Sequence, residues 1–502
     1  MKSEVCLEVD VLVVGAGPVG LMCAYLGKLC GLNILAVDKS EKPLEVGRAD
    51  ALNGRTLQLL ELINLLDDLY PLGKPCNTSS VWENGKFLSR QSAWWDELEG
   101  CFHKHFLMLG QSKVEKLLDS KLAGLNSSVL RSTSIESIEV DDIHCCTSLS
   151  NGTKVKSKYV IGADGSRSFV RNLFHVPFEI ERPKIVWAVI DGIIDTDFSK
   201  VPEIIVFQAE TSDVAWIPRE GEIDRFYVRM DTTAFTIEDA TQKINRATSP
   251  HKLRFTEIEW FSKFSVKESV AENFQIKDRI FLAGDSCHIH SVNGGQGLNT
   301  GLADAFNLMW KLNMRLNFDA SDNILETYES ERKPVAKSVI ESSGELVRST
   351  KYSETGTHAQ DYVRIVAKRA GNITGMGIDY GNKGGYLKLA KNLKLDINGD
   401  QPLKGSRLFD LELEKGENRT RLYSLLDYTK FTLVIFGSKV TTPILPKFIN
   451  IIKVEPLKSN LSYSAINSPY NNQAILVRPD SYIELVIPIE NIETHLKDCG
   501  LV

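Results

Sequence analysis

The 502-residue sequence is informative first for what it lacks. It carries no excess of basic charge: 59 Lys and Arg against 65 Asp and Glu leave a formal net charge of −6, which excludes the electrostatic footprint of a nucleic-acid binder. Its nine cysteines are scattered singly apart from Cys145-Cys146, with no C-x-x-C pair and no metal-ligand spacing. That usage excludes a disulfide framework and points to thiols in a reducing compartment. The one long apolar run, Val11 to Leu26, is interrupted by Gly15, Gly17 and Gly20, so no membrane span is expected. The few residues ahead of it lack the basic region, apolar core and cleavage site of a secretory leader, and a cytoplasmic protein is expected. Hydrophobic content of 43% and charge of 25% are those of an ordinary globular chain, and at this length two or three domains are expected rather than one core.

What is present begins with Asp10 to Val14, a short apolar strand followed at once by Gly15-Ala16-Gly17-Pro18-Val19-Gly20 and a helix through Leu29. A second strand, Asn33 to Val37, ends in Asp38, 18 residues beyond Gly20. This is a βαβ dinucleotide fingerprint, with glycines for the tight turn, a pyrophosphate on the helix N-terminus and the acid on a ribose hydroxyl. A second stretch runs from Gly284 to Leu312. It follows the strand Arg279 to Ala283, reaches Asp285, crosses Gly294, Gly295 and Gly297, and enters a helix with Leu298, Leu302, Ala305, Phe306, Met309 and Leu312 on one face. Backbone N–H groups at such a helix start favour negative charge. Taken alone, the turn is equally a cap on a buried helix. His288 and His290 are not expected to be a metal pair, since the nearby cysteine and carboxylate ligands do not complete a site.

These two stretches, together with Gly162-Ala163-Asp164-Gly165-Ser166-Arg167-Ser168 and Tyr328-x-x-Glu331-Arg332-x-Pro334-x-Ala336, resemble in their order the FAD-dependent aromatic hydroxylases. These are the single-component flavoprotein monooxygenases of the p-hydroxybenzoate and phenol hydroxylase type, and the similarity spans most of the chain. The resemblance implies an α/β protein with a discontinuous, Rossmann-like FAD-binding domain (1–77, 106–180 and 270–350), an antiparallel-sheet substrate domain (78–105 and 181–269), a connecting region (351–404) and a thioredoxin-like C-terminal domain (405–502). It implies FAD held by Gly15, Gly17, Pro18, Gly20, Asp38, Arg48, Gln111, Asp164, Asp285 and the Gly295, Gly297, Leu298, Asn299 turn. It implies NAD(P)H as a transient reductant, consistent with the absence of a second G-x-G-x-x-G, and O2 as co-substrate. The activity it implies is hydroxylation of a phenolic or related aromatic ring through a flavin C4a-hydroperoxide. The same scaffold leaves open a Baeyer–Villiger-type oxygenase or a hydroxylase of polycyclic metabolites, and a non-catalytic FAD-binding sensor is the alternative of a different class. A halogenase is disfavoured, because of its W-x-W-x-I-P signature only Ile217-Pro218 survives. The chain departs from the family at Ser291-Val292, where proline is usual, and at Ser481, where glycine is usual.

In Glu45 to Leu57 the resemblance assigns Asp50 as the acid facing the substrate ring and Arg48 as a cofactor contact; Asp50 is alternatively a cap on the helix that follows. A phenol with pKa near ~10 giving its proton to an aspartate near ~3.9 is uphill by roughly 8 kcal/mol, so such an acid needs a site that stabilises phenolate, or acts by hydrogen bonding without full transfer. Arg167 and Arg171 are either a pyridine-nucleotide contact or a solvated helix face. Between Ile185 and Phe264, runs with a period of two predict an antiparallel sheet with one buried face, on which Trp216 and Tyr227 either line the pocket or pack in the core. Gly371 to Gly385 reads as a connecting loop, and Cys499, the only cysteine beyond it, cannot form an intradomain disulfide. Packing or homodimer formation is left as the role of the last domain.

Overall fold

The computed structural model describes residues 6–83, 85–91, 95, 98–180, 186–208, 213–265, 267–290, 295–348, 370–381, 404–415, 418–436, 444–456, 470 and 473–498. Expectations that concern Ser291-Val292, Gly294, residues 382–385 and Cys499 fall outside them. The first strand, β1 (Cys6–Val14), is buried from Val11 to Val14 on both faces, which is why it reads as a continuous apolar run. It is followed by α1 (Pro18–Leu29), in which Pro18 occupies the first turn, where a missing N–H costs nothing. β1 pairs in parallel with β2 (Ile34–Val37) on one side and with β3 (Lys154–Gly162) on the other. β3 pairs in parallel with Ile280–Leu282, so three segments far apart in sequence form one sheet of eight strands. The nucleotide-type unit is therefore discontinuous.

Between these segments the chain makes two excursions that meet in a seven-stranded sheet. The later excursion contributes β4 (Val186–Thr196), β5 (Asp213–Pro218), β6 (Asp224–Met230) and β7 (Leu253–Ser265). β4 pairs antiparallel with β6 and β7, placing Val189 beside Tyr227 and Asp191 beside Arg225. Alternation along these strands sends Ala188, Ile190, Trp216, Phe226 and Val228 into a core closed by the helix Ile237–Thr248. Asp191, Arg225 and Tyr227 occupy the opposite face. The sheet departs from the expected antiparallel pattern at one place: Ile204–Gln208 pairs in parallel with Ser79–Glu83, because that strand arrives from the earlier excursion.

Two long helices return to the nucleotide unit: α3 (Gln296–Asn317) and α4 (Asn323–Arg348). For these labels, α2 is the helix Gly54–Leu62. The C-terminal unit pairs Phe431–Phe436 in parallel with Ile449–Pro456, then adds the antiparallel hairpin Gln473–Val477 and Ile483–Pro488 and the helix Ile492–Asp498, the thioredoxin-like order. It docks on α3, where Trp310 meets Phe431 edge-on at 5.5 Å and the Tyr428 hydroxyl donates to the Phe306 carbonyl at 2.8 Å. At the centre of this junction Glu331 accepts from Lys311 at 2.9 Å and from Arg478 at 2.8 Å, and Arg478 also pairs with Asp480 at 2.7 Å, all buried.

Burial alone would raise the Glu331 carboxyl, but Arg478 and Lys311 overcome it and hold the group at about 2. A carboxyl held below its unfolded value adds stability that is complete above that value and lost as the pH falls through the folded one. Glu331→Gln leaves the buried Lys311 without a carboxylate and Arg478 with Asp480 alone, and is expected to lower stability by about 3–5 kcal/mol at neutral pH. Urea unfolding of both proteins across pH checks this: the gap should narrow as the pH falls from 4.5 toward about 2.

Candidate cofactor and substrate site

The turn between β1 and α1 is set by close backbone approach. Gly15 sits at φ +102°, and a Cβ there would lie 2.4 Å from the Ala163 carbonyl oxygen, so this turn crosses directly over the Gly162–Ser168 stretch. A Cβ on Gly20 would come within 1.8 Å of the Gly15 carbonyl oxygen. Gly17 differs: a Cβ there meets nothing within 4 Å, so the space in front of the α1 N-terminus is open, and no side chain caps that end. Unsatisfied N–H groups facing open space fit the pyrophosphate of a dinucleotide. Asp38 lies at the correct end of β2, but its carboxylate already accepts from the Ala16 and Ser40 N–H groups, each at 2.6 Å. It therefore braces the turn, with lone pairs left for a ribose hydroxyl.

The Asp164 and Asp285 stretches meet behind this turn. Asp164 accepts from the N–H groups of Phe169 at 2.6 Å and Val170 at 3.1 Å through one oxygen, while its other oxygen is buried without a partner. Arg171 is buried, stacks 3.8 Å over Phe178 and donates to the Ser286 and Ser166 carbonyls, tying the two stretches together. It is thus a structural tie and not a surface for a pyridine nucleotide, whereas Arg167 is exposed. Asp285 projects into a solvent-reached recess whose walls raise its carboxyl above the usual range, with His288 and Arg48 opposing the rise. Gly295, at φ +61°, starts α3. Gly297 lies beside His290, and Leu298 is buried. Asn299 accepts from the Asn53 N–H at 2.9 Å and donates to the Ala51 and Gly295 carbonyls. Its side chain is consumed in building the turn, so what α3 offers a cofactor is main-chain N–H. Cys287, His288 and Asp304 come close enough to share an ion. Asp304, however, already pairs with His288 and with Arg332, each at 2.7 Å, and that guanidinium disfavours a second cation.

Asp50 is buried, and it does not cap α2; Asn53 does, accepting from the Thr56 N–H at 2.9 Å. The Asp50 Oδ2 accepts from the Tyr227 hydroxyl at 3.2 Å and lies 3.4 Å from Arg225. Among the described residues its Oδ1 has no hydrogen-bond donor. Burial, and next the Asp50 charge, push the Tyr227 hydroxyl up, so it stays protonated and donates. Arg225 is fully buried, holds Asp191 in two hydrogen bonds at 2.5 and 2.6 Å, and donates to the Arg48 carbonyl. Arg48 itself is exposed, at φ 67°. Arg219 extends the network from Asp191 (3.0 Å) to Glu220, which accepts from the Gly110 N–H. The neighbouring Gln111 donates to Glu115 at 2.8 Å and, through its main chain, to Ala49.

Of the two aromatics singled out on the sheet, Tyr227 reaches the site. Trp216 does not: it lies on the opposite face and donates to Asp224. Sequence reasoning missed Asp191, Arg219 and Arg225. The signal was a lone acid inside the apolar run Val186 to Ile194 and a cation two residues from Tyr227 on the same strand face. An apolar wall that begins at Ala51, the residue after Asp50, is built by Ala51, Trp95, Phe106, Met108, Ala370 and Ile373. Part of the stretch expected to be a connecting loop is therefore a helix, Ala370–Thr374, because Ala370 and Ile373 bury against this wall.

Comparison with known proteins fits this geometry. The FAD binding domain family matches residues 8–343. The chain is 30% identical over 461 residues to the phenol 2-monooxygenase fsqG of Aspergillus fumigatus, covering 86% of this chain and 76% of the relative. It is 27% identical over 422 residues to the 3-hydroxybenzoate 4-monooxygenase of Comamonas testosteroni, covering 74% of this chain and 65% of that protein. Among solved structures, the anhydrotetracycline hydroxylase OxyS from Streptomyces rimosus shares the fold, with a TM-score of 0.73 and 23% identity over 98% of this chain and 99% of its own.

Gly17 and Gly20 of the first turn separate folding from binding. Gly17→Ala meets no protein atom and should keep the thermal stability of the cofactor-free protein while weakening FAD binding at least about tenfold, or ~1.4 kcal/mol. Gly20→Ala drives a methyl into backbone and should destabilise the cofactor-free protein by about 1–3 kcal/mol. Thermal melts of both apoproteins and fluorimetric FAD titration read the two effects separately.

Proposed function

Since the chain belongs to the FAD-binding domain family of flavoprotein monooxygenases, we propose that it uses NAD(P)H and O2 to hydroxylate a phenolic ring held against Asp50. The observation that carries this reading is the Asp50 carboxylate itself. Its Oδ2 is occupied by Tyr227 and Arg225, its Oδ1 is left for a donor such as a ring hydroxyl, and an apolar wall adjoins it. The names of two relatives, a phenol and a 3-hydroxybenzoate monooxygenase, support a phenolic substrate.

The residues present fit FAD: the open space before Gly17, the uncapped starts of α1 and α3, the unpartnered Asp164 oxygen and the recessed Asp285. When bound, FAD supplies the redox chemistry that takes reducing equivalents from NAD(P)H and activates O2 for transfer to a ring. The chain's own residues do the rest. Asp50 accepts a hydrogen bond from the substrate hydroxyl and polarises its O–H bond, so that the oxygen donates more electron density into the ring and activates it for electrophilic attack. Tyr227 fixes the carboxylate from the other side, and Arg225 neutralises its charge, so that a buried carboxylate is tolerated. The uncapped N–H groups at the start of α3 would help hold the flavin and offset negative charge on its reduced form. The wall from Ala51 to Ile373 excludes water, which protects reactive oxygen species from wasteful release.

The test is NAD(P)H oxidation by FAD-loaded protein with a panel of phenols and larger hydroxyaromatics, with hydrogen peroxide and product measured together. A substrate should stimulate oxidation with little peroxide. Asp50→Ala should lower the rate of product formation by about 10²-fold or more, and Tyr227→Phe by less, with FAD content unchanged in both. Equal product yields from the wild-type and Asp50→Ala proteins would sink the assignment of Asp50. A panel that leaves oxidation unstimulated throughout would sink the phenolic substrate.

A further inference from the structure

Strand register places Tyr227 in a row that crosses the seven-stranded sheet. Val189 on β4 pairs with Tyr227 on β6, Tyr227 with Ala215 on β5, Ala215 with Val206, and Val206 with Val81. Directly paired residues share a face, so the whole row stands on the face that presents Tyr227 to Asp50. The opposite face, with Val214, Trp216, Phe226 and Val228, is closed core.

The row is open on the side where it leaves Tyr227 for β5. That strand is the fourth of seven, yet Ala215 on it and Val206 on the next strand are only half-buried, and both stand outside the sheet core and the wall cluster. The neighbouring row is covered, because Ile217 and Ile204 pack against the wall that begins at Ala51. Toward β7 the way is shut: a Cβ on Gly47 would lie 2.5 Å from the ring of Trp260, the partner of Asp191. What is left is a slot with Ala215 and Val206 as its floor and the wall along one side. Strands lie about 4.8 Å apart, so the floor runs roughly 10 Å from Tyr227 to Val206, longer than one aromatic ring. Beyond Tyr227 the side chains of the row are apolar, and Ala215 is the smallest of them. An apolar body on this floor is favoured by the surface it removes from water. A carboxylate there would lose its water with no cation in the row to replace it.

We propose that Ala215 sets the length of the substrate: the ring hydroxyl sits at Asp50, and an uncharged second ring or comparable apolar body lies over Ala215 and Val206. The inference rests on the reading of Asp50 as the acceptor for that hydroxyl, and it narrows the substrate to extended, neutral hydroxyaromatics. A single-ring phenol leaves the floor bare.

The test titrates full-length, FAD-loaded protein with phenol and with 2-, 3- and 4-phenylphenol, following the flavin spectrum. The three isomers carry the same apolar area in different directions, so a slot separates them and an unshaped apolar surface does not. At least one isomer should bind ten or more times tighter than phenol and ten or more times tighter than another isomer. In Ala215→Phe the preference of that isomer over phenol should fall at least tenfold, a change of ratio that general destabilisation does not produce. Should Ala215→Phe fail to fold, Val206→Phe blocks the same floor from the next strand. Equal affinities for the three isomers, or a preference over phenol that survives these substitutions, would overturn the role of Ala215. Asp50→Ala separates this outcome from the reading beneath it, since it should weaken phenol and the favoured isomer alike. If it weakens both while the isomers remain equal, only the slot is lost. If it weakens neither, or if the protein binds none of the four compounds, both readings fall together.

Discussion

One fully buried guanidinium joins the two units between which the Asp50 site is built. Arg225 stands on a sheet strand, yet it reaches across to hold the Arg48 carbonyl and to lie within 3.4 Å of Asp50, both on a loop of the nucleotide unit. Its charge is matched on its own sheet by Asp191, a bidentate pairing that fixes the orientation of the planar group. Because the fork is rigid, the loop it grips is held in register with the strand face that presents Tyr227. Arg48 itself is left-handed, and the bond to its carbonyl is one of the contacts that hold it there.

Similar use of buried charge recurs elsewhere. Arg171 ties the Asp164 and Asp285 stretches through main-chain carbonyls. Arg332 and His288 converge on Asp304 beneath the start of α3, and Asp304 in turn accepts from the Gly284 N–H. Glu331, Lys311, Arg478 and Asp480 lock the C-terminal unit to α3 and α4. These clusters add little net stability compared with apolar packing, since desolvation offsets most of the attraction. What they contribute is specificity of docking: each fixes one relative placement of segments that apolar surfaces alone would allow to slide. The C-terminal unit is consequently more than a cover. Its turn at Asp480 and Ser481 holds Arg55, which follows Asn53, and Asn53 holds Asn299 at the cofactor turn.

Much of the fold was legible in the chain. The apolar run Val11 to Val14, the glycines after it and Asp38 mark a nucleotide-type βαβ unit, because turn glycines and parallel strands impose local requirements. The periodicity of α3 and the alternation of β4 and β6 were equally visible. Other features were not. Asp50 could be read as a helix cap or as a site residue, and only the position of Asn53 decides between them. Asn299 falls in the cofactor turn, but its side chain is committed to Ala51, Asn53 and Gly295. Trp216 and Tyr227 were equivalent candidates until the register of β4, β5 and β6 placed them on opposite faces.

The sequence by itself determined the elements and the cofactor class, since strand, turn and helix signals depend on residues close together in the chain. Tertiary structure alone decided which charges meet. Asp50 and Tyr227 are separated by 177 residues, as are Arg48 and Arg225, and Arg55 and Ser481 by 426. No local pattern encodes those pairings, because they arise from the docking of whole units, and a buried charge acquires its meaning only from the partner that docking brings to it or withholds.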